Sequence, residues 1–159
     1  MPIAVDQSPK AHPSKAVAYS PTFYFWKDTD GVDYENVSHF LGNMFSREKP
    51  SEEIQTRELN WAGVSSQFYT TIVEALEPGD VPLWASAFEI EGDLSDSGSS
   101  KKKSHGIQCA IGLPELALAA GDQRTLNYEI YTGPKEYARL KALGDDRTLV
   151  MNYDGIPVL

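Results

Sequence analysis

A chain of 159 residues, 41% apolar and 23% charged, has the size and composition of one packed domain, which excludes the disordered and fibrous classes. Its 23 acidic and 14 basic residues give a formal net charge of -9. That sign repels a phosphate backbone instead of releasing its counterions, so nucleic acid is excluded as a partner; anionic lipid is disfavoured too, since the one basic run, Lys101-Lys102-Lys103, is short.

In chain order, residues 1–18 mix Pro, Ser, Lys, His and Ala without periodicity and lack the basic start and apolar run of a signal peptide. They read as a flexible leader to a domain over 19–153. Thr22 to Trp26 is dense in aromatics that suit a pleated, half-buried surface, and Pro21 is tolerated at a strand start. From Asp33 onward Tyr34, Val37, Leu41 and Met44 recur at helical intervals, with Asp33 as N-cap and Gly42 near the end, and predict a short helix. Ile54 to Ser65 alternates with an approximate period of two, and Phe68 to Val73 supplies aromatic and β-branched residues, so both predict strand.

Glu77-Pro-Gly-Asp80 predicts a turn before a strand over Leu83 to Glu91. Residues 92–105 offer almost nothing to bury and are expected to form a mobile loop. An apolar strand over Gly106 to Leu113 and a turn at Ala120-Gly-Asp-Gln123 follow. The clearest strand is Thr125 to Tyr131, with Leu126, Tyr128 and Ile130 on one face. Gly133 then ends the strand and Pro134 takes the first position of a helix over 134–143, striped by Tyr137, Leu140 and Leu143 and closed by Gly144. The fold expected is mainly β, an antiparallel sandwich with a short C-terminal amphipathic helix. No stretch supplies the ~20 consecutive apolar residues of a membrane-spanning helix.

Chemistry is sparse. Asp28, Asp30, Asp33 and Glu35 gather four carboxylates, but neither the glycine nor the bidentate glutamate of a calcium loop aligns with them, so a solvated turn is expected. His12, His39 and His105 have no helical i, i+4 pairing and read as surface residues. Cys109 lies in an apolar strand with no flanking base and reads as inert packing; being single, it leaves the redox compartment open. Glu52-Glu53 and Asp145-Asp146 read as solvated charge, and Gly133-Pro-Lys135 lacks the further glycines and hydroxyl of a phosphate loop. The aromatics at Phe23 to Trp26, Trp61 and Trp84 suit stacking on sugar rings but more often form core. No catalytic, cofactor-binding or metal-ligating residue is expected.

Three stretches carry a family likeness in order: Asn60-Trp-Ala-Gly-Val-Ser-Ser-Gln-Phe-Tyr-Thr-Thr-Ile72, the strand from Gly121 to Tyr131, and Thr132-Gly-Pro-Lys-Glu-Tyr-Ala-Arg-Leu-Lys-Ala-Leu143. Together they resemble the C-terminal half of the periplasmic domain of YidC-type membrane protein insertases, with Trp61, Gln67, Phe68, Tyr69, Tyr131, Gly133, Pro134 and Lys135 as the matching positions. The resemblance implies part of a β-supersandwich and no enzyme activity. By the same resemblance the partners would be the rest of the insertase, Sec translocon subunits and nascent membrane proteins, met at the periplasmic face of the bacterial inner membrane. The family's membrane anchor, the first part of its supersandwich and its membrane core have no counterpart in these residues, and the expectation is a fragment in which 154–159 approach that core. The other expectation, from a different class, is a free-standing carbohydrate-binding or epimerase-like sandwich. An enzyme of that kind would need His and carboxylate groups to converge, a set the sequence does not display.

Overall fold

A computed structural model describes residues 2–5, 22–42, 47–90 and 104–151. Its strands are β1 (Pro2–Val5), β2 (Phe23–Asp28), β3 (Gly31–Asn36), β4 (Glu52–Gln55), β5 (Leu59–Ser65), β6 (Tyr69–Gly79), β7 (Pro82–Ile90), β8 (Ser104–Ile111) and β9 (Tyr128–Pro134). The helical pieces are α1 (Ser38–Leu41), α2 (Tyr137–Leu143) and a 3-10 helix at Arg147–Met151. The strands form a four-stranded sheet, β1-β8-β7-β4, and a five-stranded sheet, β3-β2-β5-β6-β9. Every pairing is antiparallel. The mainly β fold with a short helix near the C-terminus is therefore as the sequence predicts.

Two apolar layers hold it together. Between the sheets, Tyr24, Trp26, Leu59, Ala62, Val64 and Val73 of the larger sheet meet Leu83, Ala85, Ile107, Cys109 and Ile111 of the smaller one. On the outer side of the larger sheet, Phe23, Phe25, Trp61 and Ile72 are covered by Leu140 of α2 and Val150 of the 3-10 helix. Strands β2 and β5 are thus buried on both faces, which is why their sequences read as nearly continuous apolar runs. Leu59 and Trp61 share parity yet face opposite layers, because the β5–β6 register slips between them. At Gly63 a Cβ would lie 2.5 Å from the Thr71 carbonyl oxygen, so glycine is what lets β5 and β6 approach there.

Several boundaries differ from the sequence expectation. The first residues of the expected leader supply β1, which pairs with β8 from Pro2 opposite Ala110 to Val5 opposite Ile107; residues 6–18 lie outside the described set. The helix from Asp33 is instead β3 followed by the single turn α1: Gly31, at φ 120°, makes a hairpin that sets Tyr34 opposite Phe25. The Ile54 to Ser65 strand is divided into β4 and β5, which belong to different sheets. The β6 strand runs on through Glu77 to Gly79, so its turn into β7 is confined to Asp80 and Val81. Of the loop expected over 92–105, Ser104 and His105 belong to β8 and the rest lie outside the described residues, as do 154–159. Thr125 to Asn127 precede β9. Gly133 and Pro134 end β9 instead of opening a helix, since they pair with Thr70 and Tyr69, and α2 begins at Tyr137. Of its apolar stripe only Leu140 is buried; Tyr137 and Leu143 are exposed.

Candidate functional site

The first candidate is the corner where β5 turns into β6 and β9 leads to α2. Ser66 builds the turn: its backbone N–H donates to the Tyr69 carbonyl oxygen at 2.8 Å, and its Oγ accepts the Tyr69 N–H at 3.1 Å. Gln67, Phe68 and Tyr69 are left at an exposed tip, Phe68 being 65% and Tyr69 59% accessible. Lys135 then ties the second stretch to this tip. Its backbone N–H donates to the Phe68 carbonyl at 2.7 Å and its ammonium to the Ser66 carbonyl at 3.1 Å. Burial lowers the Lys135 pKa from its ordinary value, since desolvation disfavours the ammonium. The Tyr131 hydroxyl donates to the Pro134 carbonyl at 2.7 Å. Beneath the same sheet, the buried Trp61 indole N–H donates to the Asp145 carbonyl at 2.9 Å. The eight positions from the sequence therefore divide into Gln67, Phe68 and Tyr69 at the tip, Gly133, Pro134 and Lys135 against it, and Trp61 with Tyr131 in the outer apolar layer.

The second candidate was not visible in the sequence. The buried Tyr24 hydroxyl donates to Glu52 Oε2 at 3.0 Å, and His39 Nε2 lies 2.8 Å from the same oxygen. Glu35 Oε2 stands 3.6 Å from His39 Nδ1, while Lys49 Nζ lies 3.2 Å from Nε2 and 3.6 Å from Glu52 Oε1. The expectation of a surface His39 and a freely solvated Glu52 is corrected: the β2–β3 hairpin, α1 and β4 bring both into one partly buried network. Glu53, in contrast, only accepts from the Gln55 amide. An open surface groove lined by Phe40, Lys49, Phe88 and His105 among others shares Lys49 with this network, while Tyr24, His39 and Glu52 do not line it. A partly exposed imidazole beside a carboxylate is the pairing that moves a proton to or from a bound hydroxyl.

Other sequence candidates take structural roles. Asp28 Oδ1 accepts the Asp30 N–H at 2.9 Å, which makes the acidic hairpin tip an Asx turn. Among the described residues no three His, Cys, Asp or Glu side chains are placed to hold a metal ion. Asp145 and Asp146 are not merely solvated charge, because both face Lys27, Asp146 at 3.0 Å. Trp61 and Trp26 are core and present no ring to a sugar.

Burial raises the Cys109 thiol from 9.0 to about 12, and burial followed by the nearby Glu52 carboxylate holds the Tyr24 phenol well above its ordinary 10.0. In both cases the folded chain keeps a proton that the unfolded chain gives up, so stability falls as pH rises past 9. Cys109 alone contributes a loss of about 1.4 kcal/mol per pH unit between its unfolded and folded values. Urea midpoints are expected to drop steadily from pH 9 to 11, and Cys109→Ala to flatten the first part of that slope; an unchanged slope in the variant would refute the assignment.

Comparison with protein-family models, curated proteins and solved structures finds no match to this chain.

Proposed function

We propose that the chain is a non-catalytic periplasmic module of a YidC-type insertase, one that assists the insertion and folding of inner-membrane proteins by contact and not by chemistry. One observation supports this reading most. The two motif stretches, far apart in sequence, are joined at one corner by the hydrogen bonds from Lys135 to Phe68 and Ser66. Backbone and partly buried side-chain bonds of this kind give a structural reason for the two motifs to meet. The corner presents Phe68, Tyr69 and Tyr137 to solvent, aromatic groups of the type that anchor protein contacts.

A second reading, the carbohydrate-binding or epimerase-like sandwich, is favoured by the meeting of His39 with the Glu35 and Glu52 carboxylates, the kind of convergence that such an enzyme would need. Sandwich folds host both kinds of function, so the site must decide. A photo-crosslinking residue in place of exposed Phe68, introduced into bacteria that carry the chain, is expected to capture subunits of the inner-membrane insertion machinery. Absence of such adducts, with calorimetric binding of a neutral sugar that is lost in His39→Ala, would replace the first reading by the second. The DNA in frame beyond Leu159 gives an independent check, since the insertase reading expects a multispanning hydrophobic region to be encoded there.

A further inference from the structure

We propose that the half-buried ammonium of Lys135 anchors a docking surface for a partner protein segment that brings one aspartate or glutamate side chain beside an apolar residue. The inference rests on the contact-module reading for the partner's identity, and on the corner's own charges for the pairing. Of the described lysines and arginines, three are not exposed: Lys27, Lys135 and Arg147. Lys27 faces Asp145 and Asp146, and Arg147 faces Glu74 and Asp145. Lys135 faces no carboxylate among the described residues; its ammonium donates to the Ser66 carbonyl at 3.1 Å. An ammonium carries three N–H donors, so two remain to be met from outside the chain.

Local backbone geometry holds the cation in this position. Lys135 follows Pro134, the last residue of β9, which stands opposite Tyr69. Its backbone N–H is fixed on the Phe68 carbonyl at 2.7 Å, and its side chain reaches across the β5–β6 tip to Ser66. The neighbouring carboxylate, Glu136, is taken by Arg139 Nε at 2.6 Å. A half-buried charge without a counter-charge is unfavourable, and the burial that lowers the Lys135 pKa reflects the same desolvation. An incoming carboxylate supplies the missing charge and forms a charge-assisted hydrogen bond in a partly desolvated setting, where such bonds are stronger than in water.

The surroundings select the rest of the partner segment. Phe68, Tyr69 and Tyr137 are 65%, 59% and 50% exposed, and aromatic groups of this kind anchor apolar side chains at interfaces. Lys141 Nζ lies over the Tyr137 ring, 5.7 Å from its centroid. Residues 135–141 thus hold three cations, Lys135, Arg139 and Lys141, against one carboxylate, Glu136, a local balance of +2 in a chain whose formal total is -9. At about 0.1 M salt the Debye length is ~10 Å, so remote carboxylates are screened and the near cations decide what approaches. The acidity of the whole chain still opposes a strongly acidic partner, and a single carboxylate within an apolar segment is what the corner fits.

The test titrates the full chain by NMR with two end-blocked tetrapeptides, leucine-phenylalanine-aspartate-leucine and its asparagine counterpart. The aspartate peptide is expected to bind about tenfold more tightly, the contribution of a hydrogen bond to a charged group, and to shift the Lys135 side-chain signals. Lys135→Met, checked for its fold by circular dichroism, should lose that preference, and Lys141→Met should keep most of it. The peptide pair on the parent chain decides the matter even where a variant does not fold. Equal binding of the two peptides, binding of neither, or a preference that survives Lys135→Met overturns the proposal. Photo-crosslinking from position 68 separates it from the contact reading. Adducts with insertion-machinery subunits that persist undiminished in Lys135→Met uphold that reading and overturn this inference, whereas peptide discrimination without any such adduct upholds this inference and overturns that reading.

Discussion

Trp61→Ala is expected to remove about 4 kcal/mol of stability, the largest loss at any single position in the chain. The indole is fully buried in the outer apolar layer with Phe23, Phe25, Ile72, Leu140 and Val150, and deleting a buried Trp typically costs ~3–5 kcal/mol through lost transfer energy and the void left behind. The same change leaves the Asp145 carbonyl without the indole donor that it meets at 2.9 Å. The damage is both to the sheet and to its cover, since Asp145 lies in the short link between α2 and the 3-10 helix. Trp61→Phe separates the two contributions. It keeps most of the apolar volume and loses the hydrogen bond, for an expected cost of about 1 to 2 kcal/mol. Urea unfolding followed by circular dichroism measures both; an equal loss in the two variants would show that the void contributes nothing.

Arg147→Met should be next in size, at about 3 kcal/mol. The guanidinium is 3% exposed as a residue, pairs with Glu74 of β6, and donates to the Leu143 and Gly144 carbonyls at the end of α2, the latter at 3.2 Å. It therefore satisfies helix-end carbonyls that have no partner within the helix, and it neutralises a carboxylate that is only one quarter exposed. Removing one partner of a buried pair costs more than the pair contributes, because the remaining charge is left uncompensated. Combining Arg147→Met with Glu74→Gln should recover part of the loss. A double variant as unstable as the sum of its two singles would mean that the charges do not couple.

How much of this could be read from the residues depends on how local each cause is. The alternation Leu126, Tyr128, Ile130 survives as a face of β9, and the aromatic run at Phe23 to Trp26 survives as a strand buried on both sides, since each is a property of adjacent side chains. The helix expected from Asp33 failed because Tyr34, Val37 and Leu41 fall at helical spacing by coincidence. What decides the matter is pairing across the hairpin: Tyr34 meets Phe23 edge-on and Phe25 at a tilt, with ring centroids 5.7 and 5.6 Å apart. Pro134 looked like a helix start because its missing N–H suits that position, but it equally suits the last position of a strand whose neighbour at Tyr69 needs no donor there. Residues Gln67 to Tyr69 and Gly133 to Lys135 could be named from the sequence, while their meeting at one corner could not. The Tyr24, Glu52 and His39 network was illegible for the same reason, as its members come from separate elements and meet only once the β2–β3 hairpin, α1 and β4 are in place.

The pairing of β1 with β8 also sets a clock. Pro2 stands opposite Ala110, so during synthesis at about 5–20 residues per second the partner of the first strand leaves the ribosome roughly 5 to 20 seconds after the strand itself. Until then β1 is a short extended segment with no ladder to join, while the hairpins β2–β3 and β5–β6 close between near neighbours in the sequence. Strands β2, β3, β5 and β6 of the five-stranded sheet are therefore placed to pair first, the smaller sheet closes when β8 emerges, and β9 completes the larger sheet last, with the ordering imposed by chain topology more than by the strength of any contact.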